Sequence, residues 1–198
     1  MTEAVIIDSG GANLASLQFA LERLGAHAVV SSDARTIAAS PRVLLPGVGS
    51  AADAMLRLRR SGLAELLPTL RQPVLGICLG MQLLFERSAE GPTECLGVLP
   101  GTVRLLEAAP GRPVPHMGWN QLTDCREDPL LDGIEPGEYF YFVHSYAVPT
   151  SEVTLAGVHY GEPVSATVRG GNFWGTQFHP ERSAAAGARL LGNFLRLT

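Results

Sequence analysis

The stretch Gly76-Ile77-Cys78-Leu79-Gly80-Met81-Gln82 sets a cysteine between two glycines, each two residues away. It directly follows the apolar run Pro73 to Ile77 and leads into a helical pattern over Leu79 to Phe85. A nucleophile on a tight strand-to-helix turn needs small neighbours, because the turn crowds their side chains, and the turn exposes it at the carboxyl edge of a sheet. The start of a helix favours a thiolate, and the N–H of Leu79 is placed to donate to an oxyanion. Most lone cysteines after an apolar strand are small buried hydrophobes. Cys95 and Cys125 lack the glycine spacing and stay in that class.

A thiol nucleophile needs a base to take and return a proton, and a third group to hold that base in one tautomer. His179-Pro180-Glu181 carries both, since residues two apart in extended backbone share a face. His116, His144 and His159 compete for the base role, whereas His27 sits near the amino end of its strand. A second glycine-rich turn, Pro46-Gly47-Val48-Gly49, follows the apolar run Arg42 to Leu45. N–H groups of Val48 and Gly49 suit an oxyanion hole. A phosphate loop or a plain turn are its other readings, but the lysine of a P-loop and the third glycine of a dinucleotide fingerprint are both missing.

The elements that must carry these residues alternate in the first half. Val5 to Ile7 reads as a buried strand. Leu14, Leu17, Leu21 and Leu24 then recur at helical spacing, with Asn13 as cap and Gly25 as left-handed terminator. Val29-Val30 and Arg42 to Leu45 continue as strands, the latter stopping at Pro46-Gly47, and Met55, Leu58 and Leu63 mark a helix broken at Gly62. Strand and helix in alternation predict a parallel sheet with helices on its faces. From Gly97 to Gln177 short apolar runs separated by Gly or Pro predict antiparallel strands, and a last helix follows with Ser183 as cap and Leu190, Leu191, Phe194 and Leu197 on its apolar face. The expectation is a single α/β domain over residues 1–198, a mixed, mostly parallel central sheet flanked by helices with an added antiparallel region.

Composition narrows the partners. The 198 residues carry 15 Lys+Arg against 19 Asp+Glu, a net charge of −4, without the basic runs that bind nucleic acid. No apolar run reaches the ~18 residues of a membrane span, and the amino end lacks the pattern of a signal peptide. Three cysteines, odd in number and without C-x-x-C pairing, argue against a disulfide framework and a zinc site. A cytoplasmic protein without metal or cofactor is expected.

Gly76 to Gln82 together with Gln177-Phe178-His179-Pro180-Glu181 resembles the class I, triad-type glutamine amidotransferases. The resemblance extends from Ile6 to the final helix, through Asn13-Leu14, Pro46 to Ser50, Pro115 to Asn120 and Tyr141 to Tyr146. It implies a flavodoxin-like fold and catalysis by Cys78, His179 and Glu181, with Val48, Gly49 and Leu79 at the oxyanion. It implies that Gly47, Gln82, Glu90, His144 and Ser145 hold L-glutamine. It further implies a 1:1 heterodimer with a (β/α)8-barrel synthase subunit that receives the ammonia, contacted through Asn13, Met117, Trp119, Tyr141 and Arg182. Arg182 stands where the family usually has lysine, which keeps the charge but exchanges a compact ammonium for a planar fork. The glutaminase of a different synthase, a γ-glutamyl hydrolase and a non-catalytic docking module are the competing readings. Pro115 to Asn120 and Tyr141 to Tyr146 speak against the first, Gln82 against the second, and the intact triad against the third.

Overall fold

The computed structural model describes residues 3–8, 10 and 14–198. In chain order the first half gives β1 (Ala4–Ile7), α1 (Leu14–Arg23), β2 (Ala28–Ser31), α2 (Ala34–Ala39), β3 (Val43–Gly47), α3 (Ala51–Arg60), α4 (Leu63–Leu66), β4 (Val74–Cys78) and α5 (Leu79–Leu83). The second half gives β5 (Phe85–Ser88), β6 (Thr93–Glu94), β7 (Leu99–Leu105), β8 (His116–Thr123), β9 (Tyr139–His144), β10 (Tyr146–Ala147), β11 (Thr154–His159), β12 (Pro163–Gly170), β13 (Phe173–Thr176) and α6 (Ala184–Arg196). Nine strands form one sheet in the order β2-β1-β3-β4-β13-β12-β11-β8-β9, and β10-β7-β5-β6 form a smaller one. None of the described helices is long and apolar enough to cross a membrane.

Period-two alternation divides the core. Along β1, β3 and β4, Ile6, Leu44 and Leu75 face one side and Val5, Val43, Leu45 and Val74 the other. The first layer is covered by Leu17 and Leu21 of α1 and by Leu190, Leu191 and Phe194 of α6. The second is covered by Ile37 of α2, Met55 and Leu58 of α3, and Met81 of α5. Both faces are covered, as a parallel sheet requires, so its strands are continuously apolar. Asp33 and Ser50 cap α2 and α3, accepting from the N–H groups of Thr36 and Asp53. Gly25 ends α1 at φ 80°, as its position in the sequence predicts.

Four expectations are corrected. The strand ending before Pro46 instead runs through Gly47, because β1 pairs with β3 only as far as Leu44 and leaves that flank of Pro46 free of a ladder. The helix expected to reach Phe85 ends at Leu83; Phe85 opens β5 opposite Leu99 and is fully buried. Within the region expected to be antiparallel, β13 returns to pair parallel with β4. Ser183 precedes α6 without capping it, since its hydroxyl donates to the His179 carbonyl (2.7 Å) and accepts from the Tyr141 N–H (3.0 Å).

Phe178 lies between two residues of the candidate site and points the other way, into the core. It is fully buried, with its ring 4.2 Å from that of Phe140 and 5.6 Å from that of Phe142. Phe178→Ala is expected to lower stability by about 3–5 kcal/mol in urea denaturation, the usual range for a large buried ring. A loss below about 1 kcal/mol would mean that the site is not anchored through this contact.

Candidate active site

Cys78 closes β4 and begins the turn into α5 at φ 55° and ψ −111°, a left-handed position unusual for any residue but glycine. The neighbouring glycines are required by close approach. A Cβ on Gly76 would lie 2.6 Å from the Gly80 carbonyl oxygen, and one on Gly80 would overlap the Leu45 carbonyl. The turn is therefore wedged against β3. Because α5 is only five residues long, the elbow offers local N–H groups more than an extended helix dipole.

Register brings the other parts to the same edge. Gly47 pairs with Cys78, so Val48 and Gly49 emerge beside the thiol. Thr176 of β13 pairs with Ile77 of β4, so the chain beyond Thr176 carries Gln177 and His179 past the elbow on its other side. His179 Nδ1 lies 2.8 Å from Glu181 Oε1, both side chains being nearly enclosed. The pairing was expected from extended backbone, but residues 180–182 form a single 3-10 turn, which supplies the contact by a different geometry. His179 Nε2 and Glu181 Oε2 are buried without a hydrogen-bond partner among the described residues. Burial alone would push the imidazole down, but its interactions with Cys78 and Glu181 outweigh this and raise it to about 10.

The competing histidines behave in the opposite way. His144 Nδ1 faces the Tyr146 carbonyl at 2.9 Å, so that nitrogen must carry the proton, and Nε2 is left to accept. His116 Nδ1, 3.0 Å from His144 Nε2, must then donate, and its Nε2 accepts from Asn120 Nδ2 at 3.3 Å. Every ring nitrogen of the pair is satisfied in the neutral form. Burial pushes each histidine down to about 4. His159 is exposed at the end of β11. Of the four, His179 alone has a carboxylate partner and an interaction with Cys78 among the described residues.

A cavity of ≈ 380 Å³ collects Val48, Gly49, Cys78, Leu79, Gln82, Glu90, Pro115, Val143, His144, Ser145, Tyr146 and His179. This brings together all the expected glutamine-holding and oxyanion residues except Gly47. That residue instead lines a smaller cavity of ≈ 140 Å³ with Ser16, Ile77, Glu181 and Arg182; Val48, Val143 and His179 border both. Gln82 Nε2 donates to the Tyr146 carbonyl (2.8 Å) and to Gln177 Oε1 (3.0 Å), which leaves the Gln82 oxygen as its remaining polar edge. Glu90 Oε2 accepts from the Ala51 N–H at 2.8 Å. A larger open cavity of ≈ 730 Å³ between residues 125–136 and α6 holds none of the expected site residues.

Met117 and Trp119 are exposed on β8. The Trp119 and Tyr141 rings meet edge to face at 6.0 Å, and the Arg182 guanidinium lies 5.1 Å from the Tyr141 ring centre. Asn13 lies outside the described residues. Cys95 and Cys125 are free and half-buried, with burial pushing the first up to about 11 and the second upward. Gln177 and Ser183 were not singled out as site residues by sequence reasoning. The signal for Gln177 was its spacing of two from His179 on the same strand extension.

Comparison with known proteins shows the family. The profile of the family "Glutamine amidotransferase class-I" matches residues 5–197. The chain is 54% identical, over its whole length and 99% of the relative's, to "Imidazole glycerol phosphate synthase subunit HisH" of Xanthomonas euvesicatoria pv. vesicatoria. It is also 54% identical to the protein of that name from Xylella fastidiosa, covering 100% of this chain and 98% of the relative. Among solved structures, a glutamine amidotransferase superposes with a TM-score of 0.75 at 20% identity, covering 97% of this chain and 96% of the other. PurLQS from Thermotoga maritima superposes with a TM-score of 0.70 at 22% identity over the same shares. At those identities the likeness is one of fold.

The raised His179 has a consequence for stability. A group whose pKa is higher folded than unfolded stabilises the fold fully below its unfolded value, near 6.5, and loses that contribution as the pH climbs to about 10. In urea denaturation, the stability advantage of the wild-type chain over His179→Gln should be largest near pH 6.5 and shrink steadily toward pH 10. An advantage that grows over that window would contradict the assignment of the proton to this imidazole.

Proposed function

The chain belongs to the class I glutamine amidotransferases, and on that premise we propose that it is the glutaminase subunit of imidazole glycerol phosphate synthase. In this reading it hydrolyses L-glutamine and passes the ammonia to a HisF-type (β/α)8-barrel subunit in a 1:1 cytoplasmic heterodimer. The observation that carries the reading is the convergence, around one ≈ 380 Å³ cavity, of Cys78 and Gln82 with Glu90 and His179 from three separate stretches of chain. The full-length identity to subunits of that name supports the choice of synthase.

The chemistry follows from the geometry. The Glu90 carboxylate and the free oxygen of Gln82 complement the α-ammonium of glutamine, and backbone N–H groups near His144 and Ser145 complement its carboxylate. Cys78 attacks the side-chain carboxamide, and the negative charge on oxygen is met by N–H groups of Leu79 and of Val48 or Gly49. His179, holding a proton and oriented by Glu181, gives it to the departing ammonia as the C–N bond breaks. The neutral imidazole then takes a proton from water, which attacks the thioester and releases glutamate. Ammonia leaves past Val48 and His179 into the ≈ 140 Å³ cavity, toward the face of Tyr141 and Arg182. Enclosure matters there because ammonium has no lone pair with which to react. On the synthase subunit the ammonia converts N′-[(5′-phosphoribulosyl)formimino]-5-aminoimidazole-4-carboxamide ribonucleotide to imidazole glycerol phosphate and the aminoimidazole carboxamide ribotide of histidine biosynthesis.

The oxyanion turn also suits control by the partner. Gly49 stands at φ 90° and Val48 is partly exposed, so a peptide of this turn can rotate without a side-chain penalty. In the proposed resting state a carbonyl points into the oxyanion position, and partner binding shifts the population toward the N–H. Glutamine turnover should therefore rise at least about tenfold, the effect of ~1.4 kcal/mol, when the synthase subunit and its nucleotide ligand are added. Equal rates alone and in the complex would defeat this account of control.

The division of labour is tested by Cys78→Ala in the complex with the synthase subunit. Synthesis from glutamine should disappear, while synthesis from added ammonium salt should persist near the wild-type rate. Loss of both would place the defect in assembly, and retention of the glutamine-dependent reaction would remove Cys78 from the mechanism.

A further inference from the structure

Gln177 has no part in the reaction as written, yet its side chain is completely buried beside the nucleophile. A carboxamide withdrawn from water is costly unless its polar edges find partners. Its orientation is fixed by a chain of partners. The Tyr146 carbonyl can only accept, so the Gln82 edge 2.8 Å away must be nitrogen. That same nitrogen faces Gln177 at 3.0 Å, so the Gln177 edge turned toward it must be oxygen. The Gln177 nitrogen is thereby directed at the Cys78 sulfur, 3.9 Å away. Turning the amide over would set two NH2 groups against each other at Gln82.

What this N–H meets depends on the state of the sulfur. A neutral thiol is a weak acceptor and a thiolate a much better one, so the amide is well satisfied only by the anion. On another side of the sulfur the Val143 carbonyl, 3.8 Å away, has the opposite preference: it accepts from S–H and offers nothing to an anion. We infer that Gln177 is a further catalytic residue, whose side-chain N–H donates to the Cys78 sulfur and stabilises the thiolate before attack and again when the thioester opens. The inference rests on the reading of Cys78 as the glutaminase nucleophile.

The step balances without any added reactant. The thiol proton passes to His179, and the sulfur lone pair accepts the Gln177 N–H. Attack forms the C–S bond; the C–N bond breaks as His179 protonates ammonia. Water then adds, giving its proton to His179, and the C–S bond breaks to return the thiolate to the same donor. Gln82 extends the contact to the substrate cavity. A ligand that donates to the Gln82 oxygen polarises its N–H groups, which strengthens the bond to Gln177 and, through it, the bond to sulfur.

Two variants of the full chain separate this role from a merely structural one. Gln177→Met removes the donor without adding charge. Gln177→Glu keeps an oxygen toward Gln82 but loses the N–H toward sulfur. Alkylation of Cys78 by iodoacetamide, followed by peptide mass across pH, should reach half its maximal rate at higher pH in both variants. In the complex with the synthase subunit, kcat for glutamine should fall about ten- to hundred-fold, the effect of losing a hydrogen bond to a charged group, with a smaller change in KM for the Glu variant. A Gln177→Met profile that coincides with wild type, accompanied by a raised KM only, would reduce Gln177 to a prop for Gln82 and overturn the inference. If thermal unfolding shows Gln177→Met misfolded, the shorter uncharged Gln177→Asn gives the same decision. The alkylation profile needs no turnover, so a wild-type complex with the synthase subunit that releases no ammonia from glutamine would refute the glutaminase reading separately.

Discussion

Everything at the site depends on the parallel register of three adjacent strands. β4 ends at Cys78, and its two neighbours are locked to it residue by residue, with Gly47 opposite Cys78 on one side and Thr176 opposite Ile77 on the other. Parallel ladders point all three carboxyl ends the same way, so the Val48-Gly49 turn, Cys78 and the segment carrying His179 leave the sheet at one edge. A slip of one residue in β13 would turn Gln177 and His179 to the opposite face and bring Phe178 to the sulfur. The fully buried Phe178, packed between Phe140 and Phe142, resists such a slip, since the core loses an aromatic side chain if it occurs.

Three histidines close to one cavity illustrate how environment assigns roles to identical side chains. His179 has a carboxylate on one nitrogen and the nucleophile within electrostatic reach, and both favour its charged form over the opposing effect of burial. His144 and His116 face one another, and burial outweighs the one bond that favours a charged form, from His144 to the Tyr146 carbonyl, so both are pushed down to about 4. Neutrality is what allows the pair to run in one direction, from Asn120 through His116 and His144 to the Tyr146 carbonyl. That carbonyl also receives the Gln82 amide. The wall of the ≈ 380 Å³ cavity is thus pinned from two sides by donors, His144 and Gln82, to one carbonyl. Protonating His116 or His144 would place two donors face to face and undo it.

Much of this was legible in the residues themselves. The elbow is recognisable because its glycines answer a steric demand that any sequence must meet, and the alternation of apolar strand and helix fixes a parallel sheet by the length of its crossovers. Contacts set by register and by long-range approach were not legible. Nothing local to His116 marks it as the partner of His144, because that pairing arises from the antiparallel register of β8 and β9. Glu181 was placed beside His179 for a reason that the 3-10 turn replaces. Ser183 looked like a helix cap because serine before a helix usually is one, whereas here tertiary partners claim its hydroxyl. Gln177 was hidden for the same reason: its meaning lies in what faces each edge of its amide.

Ser183 also ties the backbone of His179 to that of Tyr141. The Tyr141 carbonyl accepts from the His179 N–H at 3.0 Å, the Tyr141 N–H donates to the Ser183 hydroxyl, and that hydroxyl donates to the His179 carbonyl. This ring of three hydrogen bonds ties the backbone of the base to one residue of β9. On the other side of the same residue the Tyr141 ring sits between Trp119 and the Arg182 guanidinium on the exposed face. Arginine at position 182 can lie flat on that ring, which a compact ammonium cannot match, so the cation is held as part of the aromatic surface. Trp119 and Arg182 both contact the Tyr141 ring, and the Tyr141 backbone bonds directly to His179 and Ser183. The backbone of His179 and the exposed aromatic face thus meet at a single residue, Tyr141, with no further side chain between them.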